Sequence, residues 1–163
     1  MGIGTGKGMA DRDQYVTLGL DREVFAVPVG KVREILDVRA ISSLPHAPAY
    51  LLGIIDVRGR SIPVIDLRVK LGMPAVPATP DSRIIVTELA AAGRVLVLGL
   101  LADRVFEVTA MDGDRMDPPP DIGARWEARC VVGVGRRGDG FVIVFDLEKL
   151  FADEDPLASG VAA

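Results

Sequence analysis

The feature that most constrains this 163-residue chain is that it repeats itself. Gly53 to Asp66 and Gly133 to Asp146 span the same interval. Each reads glycine, strand, glycine-bearing turn, apolar strand, then Asp-Leu. The sequels correspond as well, Asp66-Leu67-Arg68-Val69-Lys70-Leu71 against Asp146-Leu147-Glu148-Lys149-Leu150-Phe151. Upstream, Val32-Arg33-Glu34-Ile35 resembles Val105-Phe106-Glu107-Val108, and Phe25 precedes the first by the interval at which Leu98 precedes the second. Matches in one order along both halves predict two copies of a single supersecondary pattern.

That pattern is made of strands. Short β-branched segments bounded by turn residues run over Tyr15–Leu20, Val24–Pro28, Arg33–Ala40, Gly53–Val57 and Ser61–Asp66, and again over Arg83–Leu89, Arg94–Leu101, Val105–Ala110, Val131–Arg136 and Phe141–Asp146. Arg58-Gly59-Arg60 and Arg137–Gly140 read as hairpin turns, where glycine supplies positive φ. Pro63 lacks an N–H for the ladder, which predicts an edge strand or a bulge. Asp66 and Asp146 are suited to cap short helices ending near Leu71 and Phe151. The fold class expected is all-β: two small five-stranded β-barrels packed on a shared hydrophobic core, with short helices. Closing into barrels removes exposed strand edges. Continuous apolar stretches such as Ile62-Pro63-Val64-Ile65 predict burial on both faces. One intertwined domain over residues 14–151 is expected, with loose segments at 1–13 and 152–163. Gly72–Ser82, rich in Pro and Ala, and Asp112–Gly123, rich in Asp with three consecutive prolines, are expected loops.

Composition excludes several functions. Lys and Arg number 19 against 23 Asp and Glu, and no basic stripe forms. Nucleic acid is therefore not an expected partner, since phosphate neutralisation needs a basic face. The longest apolar run, Val95–Ala102, is far short of the ~20 residues that cross a bilayer, so no direct membrane insertion is expected. The absence of an apolar leader and the single cysteine, Cys130, point to a soluble cytoplasmic protein in a reducing compartment.

Motifs that carry chemistry fail on context. The glycine-rich residues 1–8 lack the spacing, the hydroxyl and the preceding strand of a phosphate loop. Gly133-Val134-Gly135-Arg136-Arg137-Gly138 matches a dinucleotide fingerprint in letters, but a strand follows it where a helix is required. Arg137-Gly138-Asp139 spells an adhesion tripeptide and equally makes a turn. Asp112, Asp114 and Asp117 lack the bidentate Glu of a calcium loop. His46 sits alone between prolines, and Cys130 reads as a small core residue. No nucleophile, base and electrostatic stabiliser come together, so neither enzymatic activity nor a cofactor is expected. Glu34 and Arg58 stand apart, each a charge set among apolar residues, where it must be paired or lie at a contact surface. Arginine favours interface centres because its planar fork holds a carboxylate.

Val32-Arg33-Glu34-Ile35, Leu44-Pro45, Gly53-Ile54-Ile55-Asp56-Val57-Arg58-Gly59 and Ile62-Pro63-Val64-Ile65-Asp66-Leu67-Arg68 together resemble, in order and spacing, the CheW family of chemotaxis coupling proteins. The family's central Asn-Leu-Arg-Gly appears here as Asp56-Val57-Arg58-Gly59. Gly99-Leu100-Leu101-Ala102-Asp103-Arg104-Val105 is similar to its Gly-apolar-apolar-Val-Asp-x-Val. The resemblance implies two five-stranded barrels without cofactor or catalysis. It implies an adaptor that binds the cytoplasmic tip of chemoreceptors, the methyl-accepting chemotaxis proteins, and the regulatory domain of the histidine kinase CheA in membrane-associated arrays. It also implies the site residues: Glu34 and Arg58 first; Val32, Ile35, Gly53, Ile54 and Gly59 shaping the same surface; and Gly99, Asp103 and Val105 from the second half. A CheA-type kinase would need further domains, and a ligand-binding barrel would need a large pocket that β-branched filling argues against.

Overall fold

A computed structural model describes residues 12–91, 93–112, 116–118, 130–138 and 140–152. Residues 1–11, most of the acidic loop (Asp114 included), Asp139 and the segment from Asp153 onward lie outside the described residues. Ten strands follow one another: β1 (Arg12–Leu20), β2 (Glu23–Pro28), β3 (Val32–Asp37), β4 (Leu51–Val57), β5 (Arg60–Asp66), β6 (Arg83–Ala91), β7 (Arg94–Ala102), β8 (Arg104–Asp112), β9 (Val131–Arg137) and β10 (Gly140–Phe145). Short helices α1 (Leu67–Lys70) and α2 (Leu147–Leu150) follow β5 and β10. All ten expected strands are present. β1 starts at Arg12, inside the expected arm, because pairing with β8 needs only backbone at Arg12 and Asp13. β3 stops at Asp37, short of Ala40, because its ladder with β6 ends where Asp37 meets Arg83.

The strands form two five-stranded sheets, ordered β8-β1-β2-β10-β9 and β3-β6-β7-β5-β4. Replacing each strand by its repeat counterpart turns the first order into the second. The register repeats too. Val64 lies opposite Gly99 in the parallel β5–β7 pair, and Val144 opposite Ala26 in β10–β2. Each sheet therefore mixes strands of both halves, and connection length is the reason. Without exchange, β2 and β3 would flank β1 and run parallel, which needs a crossover of about a dozen residues. The chain offers one 3-10 turn, Val29–Lys31. Between β7 and β8 it offers Asp103 alone. With no length to return, the chain crosses into the other sheet at both places.

Barrel closure is looser than expected. Among the described residues no ladder joins β8 to β9 or β3 to β4. One bridge closes each sheet instead. Ser42, downstream of β3, pairs with Ile54, and Asp117, downstream of β8, pairs with Val134. Each bridge consists of two backbone hydrogen bonds of 2.8 and 2.9 Å. The repeated glycines make this approach possible. A Cβ on Gly53 would lie 2.0 Å from the Ser42 carbonyl oxygen, and one on Gly133 2.9 Å from that of Asp117.

Pro63 departs from expectation, since β5 is interior, between β7 and β4. The residue opposite is Ile54, whose N–H and C=O bond Ser42 instead of β5. The parallel ladder with β7 begins one residue later, at Val64, so no bond waits for the proline N–H. The nearby bulge falls on the partner strand, between Leu51 and Gly53.

The main core fills the space between the sheets. Val16, Leu18 and Leu20 from β1 meet Leu96, Leu98 and Leu100 from β7 there, with Phe145, Leu147, Leu150 and Phe151 completing it. Phe25 and Phe145 stack with centroids 4.9 Å apart across the parallel seam. Each sheet also has a small core on its other face: Ile55, Val57, Ile62, Val64, Ile84 and Val86 in one, and Tyr15, Ala26, Met111, Val142 and Val144 in the other. Burial on both faces explains the continuous apolar runs. Each buried aliphatic side chain contributes about 1.5–3 kcal/mol. The caps form as expected, Asp66 accepting from the N–H groups of Arg68 and Val69, and Asp146 from that of Lys149.

Candidate functional site: the Glu34–Arg58 end of the second sheet

The β4–β5 hairpin turns through Arg58 and Gly59, with φ of 50° and 83°. Positive φ at both central residues defines the turn that suits strand twist, and it favours Asn-Gly. Arginine at the first position costs backbone energy, since a non-glycine residue gains nothing locally from this conformation. The turn is held by Asp56, whose Oδ1 accepts the Gly59 N–H at 2.9 Å. A carboxylate oxygen here does what an Asn amide oxygen would do.

Arg58 reaches from that tip to Glu34 on β3 and donates a hydrogen bond from Nη2 to Oε2. The bond holds the guanidinium above its ordinary pKa. The Arg58 side chain is 74% exposed and that of Glu34 26%. The pair thus sits over the small core of the second sheet, which Leu36, Val38, Ile41 and Leu52 extend toward the surface. That pair ties β3 to the β4–β5 tip, and a second, Arg33–Glu88 at 3.5 Å, ties β3 to β6.

A bulge sorts the neighbours. Val32 pairs with Thr87 and Glu34 with Val86, so Arg33 is the extra residue and the alternation is reset. Val32 packs on the main core, while Leu36 packs on the small one. Ile35 pairs with Ile85, a main-core residue, and is exposed on that side, not on the face that holds Glu34. Ile54 is half-buried and its backbone is committed to Ser42. Gly53 is buried beneath that contact. Of the residues grouped in sequence, Glu34, Arg58 and Gly59 come together; Gly53 and Ile54 support them, and Val32 and Ile35 point elsewhere.

The second-half candidates lie apart. Gly99 is buried where a Cβ would come 2.8 Å from Ile84 Cγ2, and Val105 packs on the main core. Asp103 belongs to an ion pair that motif reading did not assign. Arg68 Nε and Nη2 bind the Asp103 carboxylate at 2.9 and 2.6 Å, and the Asp21 N–H adds a bond of 2.7 Å. Arg68 holds the Asp103 carboxyl below the usual carboxylate range, and the same bond raises Arg68. The signal was present in Asp66-Leu67-Arg68 and Ala102-Asp103, but nothing in sequence joined them. The exposed apolar residues Val95, Phe106, Val108, Val132 and Phe141 were also not singled out.

Other motifs resolve into structure. Gly133 and Gly135 are buried in β9, and the element that follows is the strand β10. His46 is exposed at φ 59°. Cys130 is buried. Among the described residues no group of His, Cys, Asp and Glu is arranged to hold a metal ion, and no helix is long and apolar enough to cross a membrane.

Two strand-exchanged five-stranded β-sheets around a shared core, carrying exposed charged and apolar residues, define a β-rich double-sheet module. The model of the CheW-like domain matches residues 14–155. The chain is 31% identical to a probable chemotaxis protein CheW of Rhizobium etli, over 90% of this chain and 92% of that one. It is 33% identical to the chemotaxis protein CheW of Rhizobium meliloti, over 87% and 89%. Its fold is similar to the crystal structure of the scaffolding protein TtCheW from Thermoanaerobacter tengcongensis, with TM-score 0.76 and 31% identity, covering 86% of this chain and 88% of that one. The chain belongs to the CheW family of chemotaxis scaffold proteins.

Proposed function

We propose that this protein is a non-enzymatic adaptor that couples the cytoplasmic tips of transmembrane chemoreceptors to the regulatory domain of the histidine kinase CheA, within arrays at the membrane. One observation carries the reading. An arginine is held in a costly backbone conformation at a hairpin tip, ion-paired to Glu34 but mostly exposed, over an apolar sheet end. A residue kept where Asn or Gly would be more stable implies selection for something other than stability. An exposed guanidinium beside half-buried apolar residues suits a partner that supplies a carboxylate and an apolar stripe. Gly59 leaves open space beside the tip for such a partner's approach.

The adaptor works by position. Binding holds the kinase beside the receptor tip, and a receptor conformational change shifts the kinase between states. The test is a pull-down of the full chain with a receptor signalling tip and a CheA regulatory domain. Arg58→Glu places two carboxylates together at the tip and is expected to abolish coupling of receptor to kinase, with circular dichroism nearly unchanged. Retained coupling, or wholesale unfolding of the variant, defeats the assignment of Arg58 as a contact residue.

A further inference from the structure

The repeat places one residue of each short helix at the same structural position, Arg68 in α1 and Glu148 in α2. Each reaches a point where the chain crosses between the sheets. Arg68 binds Asp103, the sole residue between β7 and β8. Glu148 accepts from Lys31, which ends the turn between β2 and β3. The two contacts are counterparts with their charges inverted: cation on the helix and anion at the crossover in one, the reverse in the other.

They differ in grip. The Arg68 and Asp103 side chains are 11% and 17% exposed, and their contact is bidentate. Asp103 also donates its backbone N–H to the Gly19 carbonyl at 3.1 Å, and Arg68 Nη1 reaches the Pro74 carbonyl at 3.3 Å. The Lys31 and Glu148 side chains are 37% and 31% exposed. A lysine ammonium on a flexible stem lacks the fixed fork of arginine. The turn carrying Lys31 buries none of its residues, has no side-chain cap, and contains Gly30, beside which there is open space.

We propose that these two ion pairs are unequal clamps on the sheet-to-sheet orientation, so that the sheets pivot about the tight Asp103 crossover and part at the yielding Lys31 crossover. Movement of one sheet against the other thus has a built-in direction. Loss of the Lys31–Glu148 contact frees that movement, while the Asp103 side stays fixed. The device rests on the fold alone and stands whether or not Arg58 is a contact residue.

Spin labels read the orientation. In a Cys130→Ser background, Val95→Cys and Val132→Cys put one label on each sheet at exposed positions. Lys31→Glu is expected to broaden the inter-label distance distribution, and the exchanged pair Lys31→Glu with Glu148→Lys to narrow it again. Amide hydrogen exchange gives a second readout without labels or the cysteine substitution. Exchange at 29–33 and 147–150 is expected to rise roughly fivefold in Lys31→Glu, with little change at 102–105, as local opening predicts. An unbroadened distribution, equal acceleration at both crossovers, or no recovery in the exchanged pair overturns the proposal.

Discussion

Two guanidinium–carboxylate pairs in this molecule use the same groups for different ends. Arg68–Asp103 joins an element of the first half to a crossover of the second, is nearly buried, and is further bonded to backbone at Asp21 and Pro74. Arg58–Glu34 lies at a hairpin tip with the arginine mostly in solvent. Burial decides the difference. A desolvated pair is costly to break because the abandoned charge has no water to fall back on. An exposed pair contributes little, and either partner is free to trade the other for a group on a second protein.

The sharpest break of the comparison is Arg68→Ala. It strands Asp103 in a largely closed setting and is expected to cost about 3 kcal/mol, read from urea unfolding. Asp103→Asn keeps the shape and removes the charge, with an expected loss of about 2 kcal/mol. Acid performs a related experiment on the unmodified chain. The Asp103 carboxyl titrates lower folded than unfolded, so its contribution is fully present above the unfolded value near ~4 and is lost as pH falls through the folded one. Asp66 acts in the opposite sense, because burial raises its carboxyl; its share favours folding in acid and fades as pH rises. An acid titration of stability in Asp103→Asn, compared with the parent chain, isolates the Asp103 part, and a slope unchanged below pH ~4 counts against it.

The smallest stability effect is expected at the tip. Arg58→Asn restores a residue suited to positive φ, so the melting temperature should hold or rise slightly while coupling is lost. A clear fall in melting temperature would place Arg58 with Arg68 as a structural residue and erase the contrast. Raising salt should leave the melting temperature of Arg58→Asn no more affected than that of the parent chain, since the exposed pair is already screened.

Much of this was legible in the chain itself. Ten strands, the glycine turns and both aspartate caps follow from interactions within a few residues: β-branched packing, positive φ, and a side chain reaching the next N–H groups. The repeat announced that there would be two similar units. Glu34 and Arg58 were legible because a charge in apolar surroundings demands a partner, even across the 24 residues that separate them.

Which half supplies which strand was decided only in three dimensions, by two crossovers too short to let the chain return to its own sheet. The same step joined Arg68 to Asp103 and Lys31 to Glu148, contacts between halves that no local rule pairs. The bulge at Arg33 likewise turned Val32 away from Glu34, because one extra residue resets the two-residue period of a strand. Local chemistry chooses elements, whereas connection length and register choose neighbours, and those are properties of the assembled chain.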